Sequence, residues 1–98
     1  MAIKTFKDKN TEEIAHGRKS KRTTKILPGE LHYNAYKKLI FLDNTRTLDS
    51  LRAWPGLKLE ALKGDRKGLW SIRINDQYRI CFSFADGQAY DVEIVDYH

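Results

Sequence analysis

The spacing of apolar residues changes once along this chain, near Leu57, and that change limits the folds open to it. Before it, apolar side chains recur at three- and four-residue intervals; after it they alternate with polar ones. The pattern predicts helices first and an antiparallel meander second: an α+β domain, its helices packed on one sheet face. Residues suited to tight turns divide the second half at Gly64 to Gly68, Asn75-Asp76 and Asp86-Gly87. Strands are therefore expected to begin with Leu57 to Glu60, then to run over Leu69 to Ile74, over Tyr78 to Phe84, and from about Ala89 onward.

The first half begins with Ile3 to Lys7, whose alternation predicts a short strand. Asn10, with Glu13 three residues on, reads as a cap opening a short helix that ends at Gly17. Arg18 to Lys25 holds five cations and no acid. It is either a flexible, solvated connection or a surface that meets phosphates. After Pro28-Gly29, the spacing of Leu31, Ala35, Leu39 and Leu42 predicts the longest helix, about Glu30 to Asp43, with Lys37 and Lys38 facing away. Thr47 to Leu51 adds a helical turn. Trp54-Pro55-Gly56 ends it, and the Trp54 indole, like that of Trp70, is expected in the core.

At 98 residues and 41% hydrophobic the chain has material for one core, so residues 1–98 form a single domain. Eighteen Lys and Arg against thirteen Asp and Glu leave a net charge of +5, which favours an anionic partner: nucleic acid first, acidic protein second. The competing reading is a charge that only keeps the domain dispersed. One cysteine, Cys81, excludes an internal disulfide framework and is compatible with the cytosol. No apolar run approaches the roughly 20 residues that span a bilayer, and the first residues lack the apolar core of a signal peptide. A cytoplasmic protein with no membrane partner is expected.

Alternation sorts the strand side chains. Trp70, Ile72 and Ile74 share a face, as do Tyr78, Ile80, Phe82 and Phe84, and these should meet the helices. Arg73, Arg79, Cys81 and Ser83 lie opposite. Arginines on adjacent strands are near enough to reach one phosphate, and guanidinium forks match phosphate oxygens. The closing strand, with Val92 and Ile94 on one side and Glu93 and Val95 on the other, runs into Asp96-Tyr97-His98. Those are three side chains able to exchange or orient protons. Each candidate also has an ordinary reading. Arg73 and Arg79 can pair with Asp91 or Glu93, Lys63 can be a solvated turn residue, and Asp96 can bridge to a strand neighbour. His98 can be an idle tail and Tyr97 a core-edge aromatic. Cys81 lacks an accompanying nucleophile pattern, and His16 and His32 lack metal-ligand spacing, so no metal or cofactor is expected.

Leu59-Glu60-Ala61-Leu62-Lys63-Gly64-Asp65-Arg66-Lys67-Gly68, then Trp70-Ser71-Ile72-Arg73-Ile74, Tyr78-Arg79-Ile80 and Asp96-Tyr97-His98 together resemble the HigB toxins, or plasmid maintenance system killer proteins, of the RelE/ParE superfamily. The ordered set carries the resemblance, which spans nearly the whole chain. It implies a RelE/ParE-like fold with a curved, mainly antiparallel sheet. It also implies a type II toxin that cuts messenger RNA in the ribosomal A site without a metal, and a helix-turn-helix (HigA-like) antitoxin. Within the superfamily, ParE-type members instead poison DNA gyrase, which keeps a non-enzymatic alternative open. A basic RNA-binding domain without catalysis is a further reading. The chain departs from the family at Glu60-Ala61, where well-studied HigB toxins carry His-Pro, and the departure implies a slower enzyme.

Metal-free RNA cleavage needs a base for the 2′-hydroxyl, positive charge on the phosphorane, an acid for the leaving oxygen, and in-line alignment. Arg79 and Arg73 suit the charge, with Lys63 as a further phosphate contact. Asp96, Tyr97 and His98 are the acid-base candidates. Histidine titrates near neutrality, at about 6.5, and tyrosine, at about 10, needs neighbouring cations to act as a base or else stacks on a nucleobase. Glu60 is a candidate base provided it points into the groove.

Overall fold

The computed structural model describes residues 2–96. Four helices, α1 (Lys9–Ala15), α2 (Lys21–Ile26), α3 (His32–Asp43) and α4 (Leu48–Arg52), precede a four-stranded antiparallel sheet. Its strands, β1 (Glu60–Ala61), β2 (Trp70–Arg73), β3 (Tyr78–Ala85) and β4 (Gln88–Asp96), lie side by side in sequence order. The α+β class and the helices-then-meander order are those that the change in period requires.

The core lies between the helices and one sheet face. Ile14, Ala35, Leu39, Leu42 and Leu51 from the helices meet Ile72, Ile80, Phe82, Ala89, Val92 and Ile94 from the strands. Ala89 and Val92 share that face although three residues apart, which simple alternation forbids. The β3–β4 register shifts between Cys81 and Ser83, and Asp91 adopts a φ of 52°. This bulge inserts one residue into β4 and returns the strand to phase. At the hairpin, Asp86 and Gly87 both take positive φ, the conformation of a two-residue turn that matches strand twist.

The free edge of β4 is covered rather than exposed. The segment around Ile3 to Phe6 runs parallel to it through two isolated bridges, Ile3 to Ala89 and Phe6 to Val92. The expected first strand is thus reduced to two contacts, because the β4 bulge interrupts continuous pairing. Just beyond, the buried Thr11 hydroxyl of α1 accepts the Ile94 amide at 3.1 Å and donates to Asp8. A buried hydroxyl here satisfies a strand-edge donor that would otherwise be stranded.

Four expectations need correction. The cap of α1 is Asp8, which accepts the Thr11 amide at 2.7 Å, rather than Asn10. The basic segment from Arg18 to Lys25 is not a flexible connection over its length: α2 starts there, closed by a reciprocal Ser20–Thr23 capping box. Its six residues are too few to show a periodic apolar face, so the cap is what holds the turn together. Trp54 is 58% exposed, touching the half-buried Phe41 edge-on at 5.2 Å instead of entering the core. The stretch beginning at Leu57 does not extend at once, because a 3-10 turn over Pro55–Leu57 and Lys58 at φ 46° turn the chain first. Only Glu60 and Ala61 pair as β1.

Candidate functional site

Side chains directly opposite one another in paired strands point to the same side of a sheet. The register therefore writes out the face turned away from the helices. One row crosses Glu60, Ser71, Cys81 and Glu93; the next crosses Arg73, Arg79 and Val95. Glu60 thus shares a face with the arginines, which alternation along its own short strand left open.

Arg79 is the centre of this face and is unusually buried for an arginine, at 8% exposure. Its Nε donates to the fully buried Ser71 hydroxyl at 2.7 Å, and Nη2 donates to the Lys58 carbonyl at 2.5 Å. Lys58 can present that carbonyl because its left-handed backbone turns the chain just before β1. Nη1 faces Glu60, whose carboxylate lies 3.9 Å away and is half-exposed. Two edges of the guanidinium are therefore used to fix it, and the third points at the carboxylate and solvent. A cation held this way cannot swing away and needs no reorganisation to meet a developing negative charge.

Arg73 lies directly across from Arg79, but the two guanidinium groups diverge. Arg73 is engaged by Asp76 at the tip of the β2–β3 turn, while Arg79 reaches the other way, toward β1. The expected shared grip on one phosphate is not what these side chains form. Neither pairs with Asp91 or Glu93; Glu93 instead meets Lys7 at 3.5 Å.

Two further groups complete the face. Arg66 folds back from the turn after β1 and places Nη1 3.8 Å from the Cys81 sulfur. Burial pushes the Cys81 thiol above its ordinary pKa, opposed by Arg66 and Arg79 and reinforced by Glu93. The thiol is a buried, protonated packing element, as expected. Ser71 shares the parity of Arg73 along β2, so alternation contained the signal for it. No sequence signal showed that Lys58 or Arg66 would turn toward the sheet.

The remaining candidates lie elsewhere. Lys63 follows Leu62, which is buried, and lines a shallow depression with Ala61, Lys67 and Trp70 at the β1 edge. Asp96 pairs in register with Tyr78, on the side of Ile80 and Ile94, and accepts from the Gln77 amide at 3.1 Å. The register thus sets it across the sheet from Arg79. Tyr97 and His98 lie outside the described residues. Among the described residues, no group of three or more His, Cys, Asp or Glu side chains is arranged to hold a metal ion. No helix among them is long and apolar enough to cross a membrane.

The chain matches known proteins along most of its length. A family model described as the RelE-like toxin of type II toxin-antitoxin system HigB matches residues 4–98. Toxin HigB-1 of Vibrio cholerae serotype O1 is 38% identical over 89 residues, covering 91% of this chain and 90% of that protein. Endoribonuclease HigB of Proteus vulgaris is 51% identical over 41 residues, covering 42% of this chain and 45% of that protein.

Proposed function

The chain belongs to the HigB family of RelE-like toxins of type II toxin-antitoxin systems, and from this premise we propose that it is an endoribonuclease, cutting messenger RNA on the ribosome without a metal ion. The observation that carries the reading is Arg79, a guanidinium locked by Ser71 and Lys58 with its free edge beside an accessible carboxylate. The name of the Proteus vulgaris relative supports the same activity.

The chemistry assigns each group a job. Glu60 takes the proton of the 2′-hydroxyl, the oxygen attacks phosphorus, and the bond to the 5′-oxygen breaks. Arg79 meets the charge that gathers on the non-bridging oxygens, and Arg73, held by Asp76, contacts the RNA backbone beside the reacting centre. His98 returns a proton to the leaving 5′-oxygen, and Tyr97 stacks on a nucleobase. Asp96 and Lys63 act outside the reacting centre, as orienting and backbone contacts. Neutralisation falls to a helix-turn-helix antitoxin.

The test is to map transcript ends after brief induction and in a translation extract. Cuts within codons that need ribosomes and leave 2′,3′-cyclic phosphates are expected. Intact transcripts with inhibited gyrase would replace this reading by target poisoning.

A further inference from the structure

The described residues include three large apolar side chains that remain exposed: Tyr33 at 68%, Ile40 at 40% and Trp54 at 58%. All three lie on the helical side, and none on the arginine face. Tyr33, Lys37, Ile40 and Asn44 follow one another at four- and three-residue intervals, so they form one outward stripe from α3 into its cap. Tyr36 stacks beside Tyr33 at 6.5 Å, and the Lys37 ammonium sits 4.9 Å over the Tyr33 ring. At the other end Trp54 meets Phe41, next to Ile40, edge-on at 5.2 Å. Between α3 and α4 the surface dips into a shallow depression lined by Lys37, Ile40, Phe41, Asn44, Thr45 and Ser50.

Nothing in the fold needs this stripe to be apolar. The opposite side of α3 already supplies Ala35, Leu39 and Leu42 to the core. Exposed aromatic anchors grouped beside a concave surface are how protein interfaces are built, not how RNA phosphates are held. The charge chooses among protein partners. Lys37 has no carboxylate partner among the described residues, and the chain carries +5, so a second copy would meet like charge along the stripe. Membership in a type II family supplies a protein that this toxin must bind.

We infer that the α3 stripe, from Tyr33 through Ile40 to Trp54, is the docking surface for the cognate antitoxin, which meets it with an apolar segment flanked by carboxylates. The inference rests on family membership and geometry, and stands apart from whether the toxin cuts RNA.

The test uses full-length toxin carrying Tyr33→Ala, Ile40→Asp, Trp54→Ala or Lys37→Glu, with the antitoxin co-expressed from the same operon. Each variant should arrest growth when expressed alone. Ile40→Asp should weaken antitoxin binding by about 30-fold or more, the loss typical of a central anchor. Growth arrest should then return despite the antitoxin. Lys37→Glu should weaken binding less and flatten its salt dependence. Thermal unfolding checks each fold, and the exposed positions Tyr33 and Trp54 serve if Ile40→Asp unfolds. Wild-type affinity in all folded stripe variants overturns the inference. So does a toxin dimer that Ile40→Asp splits while antitoxin affinity stays unchanged, since the stripe would then belong to a second copy. Growth arrest without cut transcripts would remove the nuclease reading and leave this result intact.

Discussion

The two faces of the sheet come from the same strands and the same alternation, yet they hold together differently. On the helix side, Ile72, Ile80, Phe82, Val92 and Ile94 bury apolar area against α1 and α3. Apolar burial is non-directional, and many neighbours share it. On the other side, Arg79 is fixed by two named oxygens, and Ser71 and Arg79 are buried because each is the other's partner. Polar burial has to be satisfied group by group. The first face secures the fold and the second secures one cation. Damage to each should therefore show in different measurements.

Phe82→Ala is the harshest test of the first face. Phe82 is fully buried, and the substitution should cost about 3–5 kcal/mol of stability by denaturant unfolding. A loss below 1 kcal/mol would mean the core is not where it is placed here. Arg79→Ala tests the second face. Cleavage should fall about 10²–10³-fold, as when a fixed charge stabiliser is removed. Stability should drop by about 1–3 kcal/mol, because Ser71 and the Lys58 carbonyl lose their donor. If stability falls and cleavage does not, Arg79 is structural only.

Glu60→Gln keeps the shape and removes the base. Single-turnover cleavage should slow by about 10²-fold with little change in unfolding midpoint, since Glu60 is exposed. An unaltered rate would move the base to Tyr97 or His98. The smallest effect concerns Cys81. Its folded pKa is raised by burial, so between the ordinary thiol value and the folded one the native state holds more protons than the unfolded state. Stability should therefore decline as pH rises through that window. Cys81→Ser should flatten the decline, and the native thiol should alkylate slowly until denaturant is added.

Much of the fold was legible in residue order. The α3 boundaries, the α4 turn, the Asp86-Gly87 hairpin and the two sheet faces follow from period and turn chemistry, since those signals are local. What was illegible depended on contacts distant in sequence. Trp54 has the composition of a core residue, but it lies beyond α4 and stays exposed, one ring edge against Phe41. The break at Lys58 was hidden because a left-handed lysine has no sequence signature.

The class, the order of elements, the cationic face and the parity that sets Arg73 beside Arg79 are all written in residue order. These depend on periods of 3.6 and 2, which any segment carries within itself. That the two guanidinium groups part, that Glu60 joins Arg79 and that Arg66 returns over Cys81 emerges with the folded chain alone. Those outcomes turn on where loops bring distant backbone, and a side chain's direction is chosen by whichever partner arrives within hydrogen-bond reach.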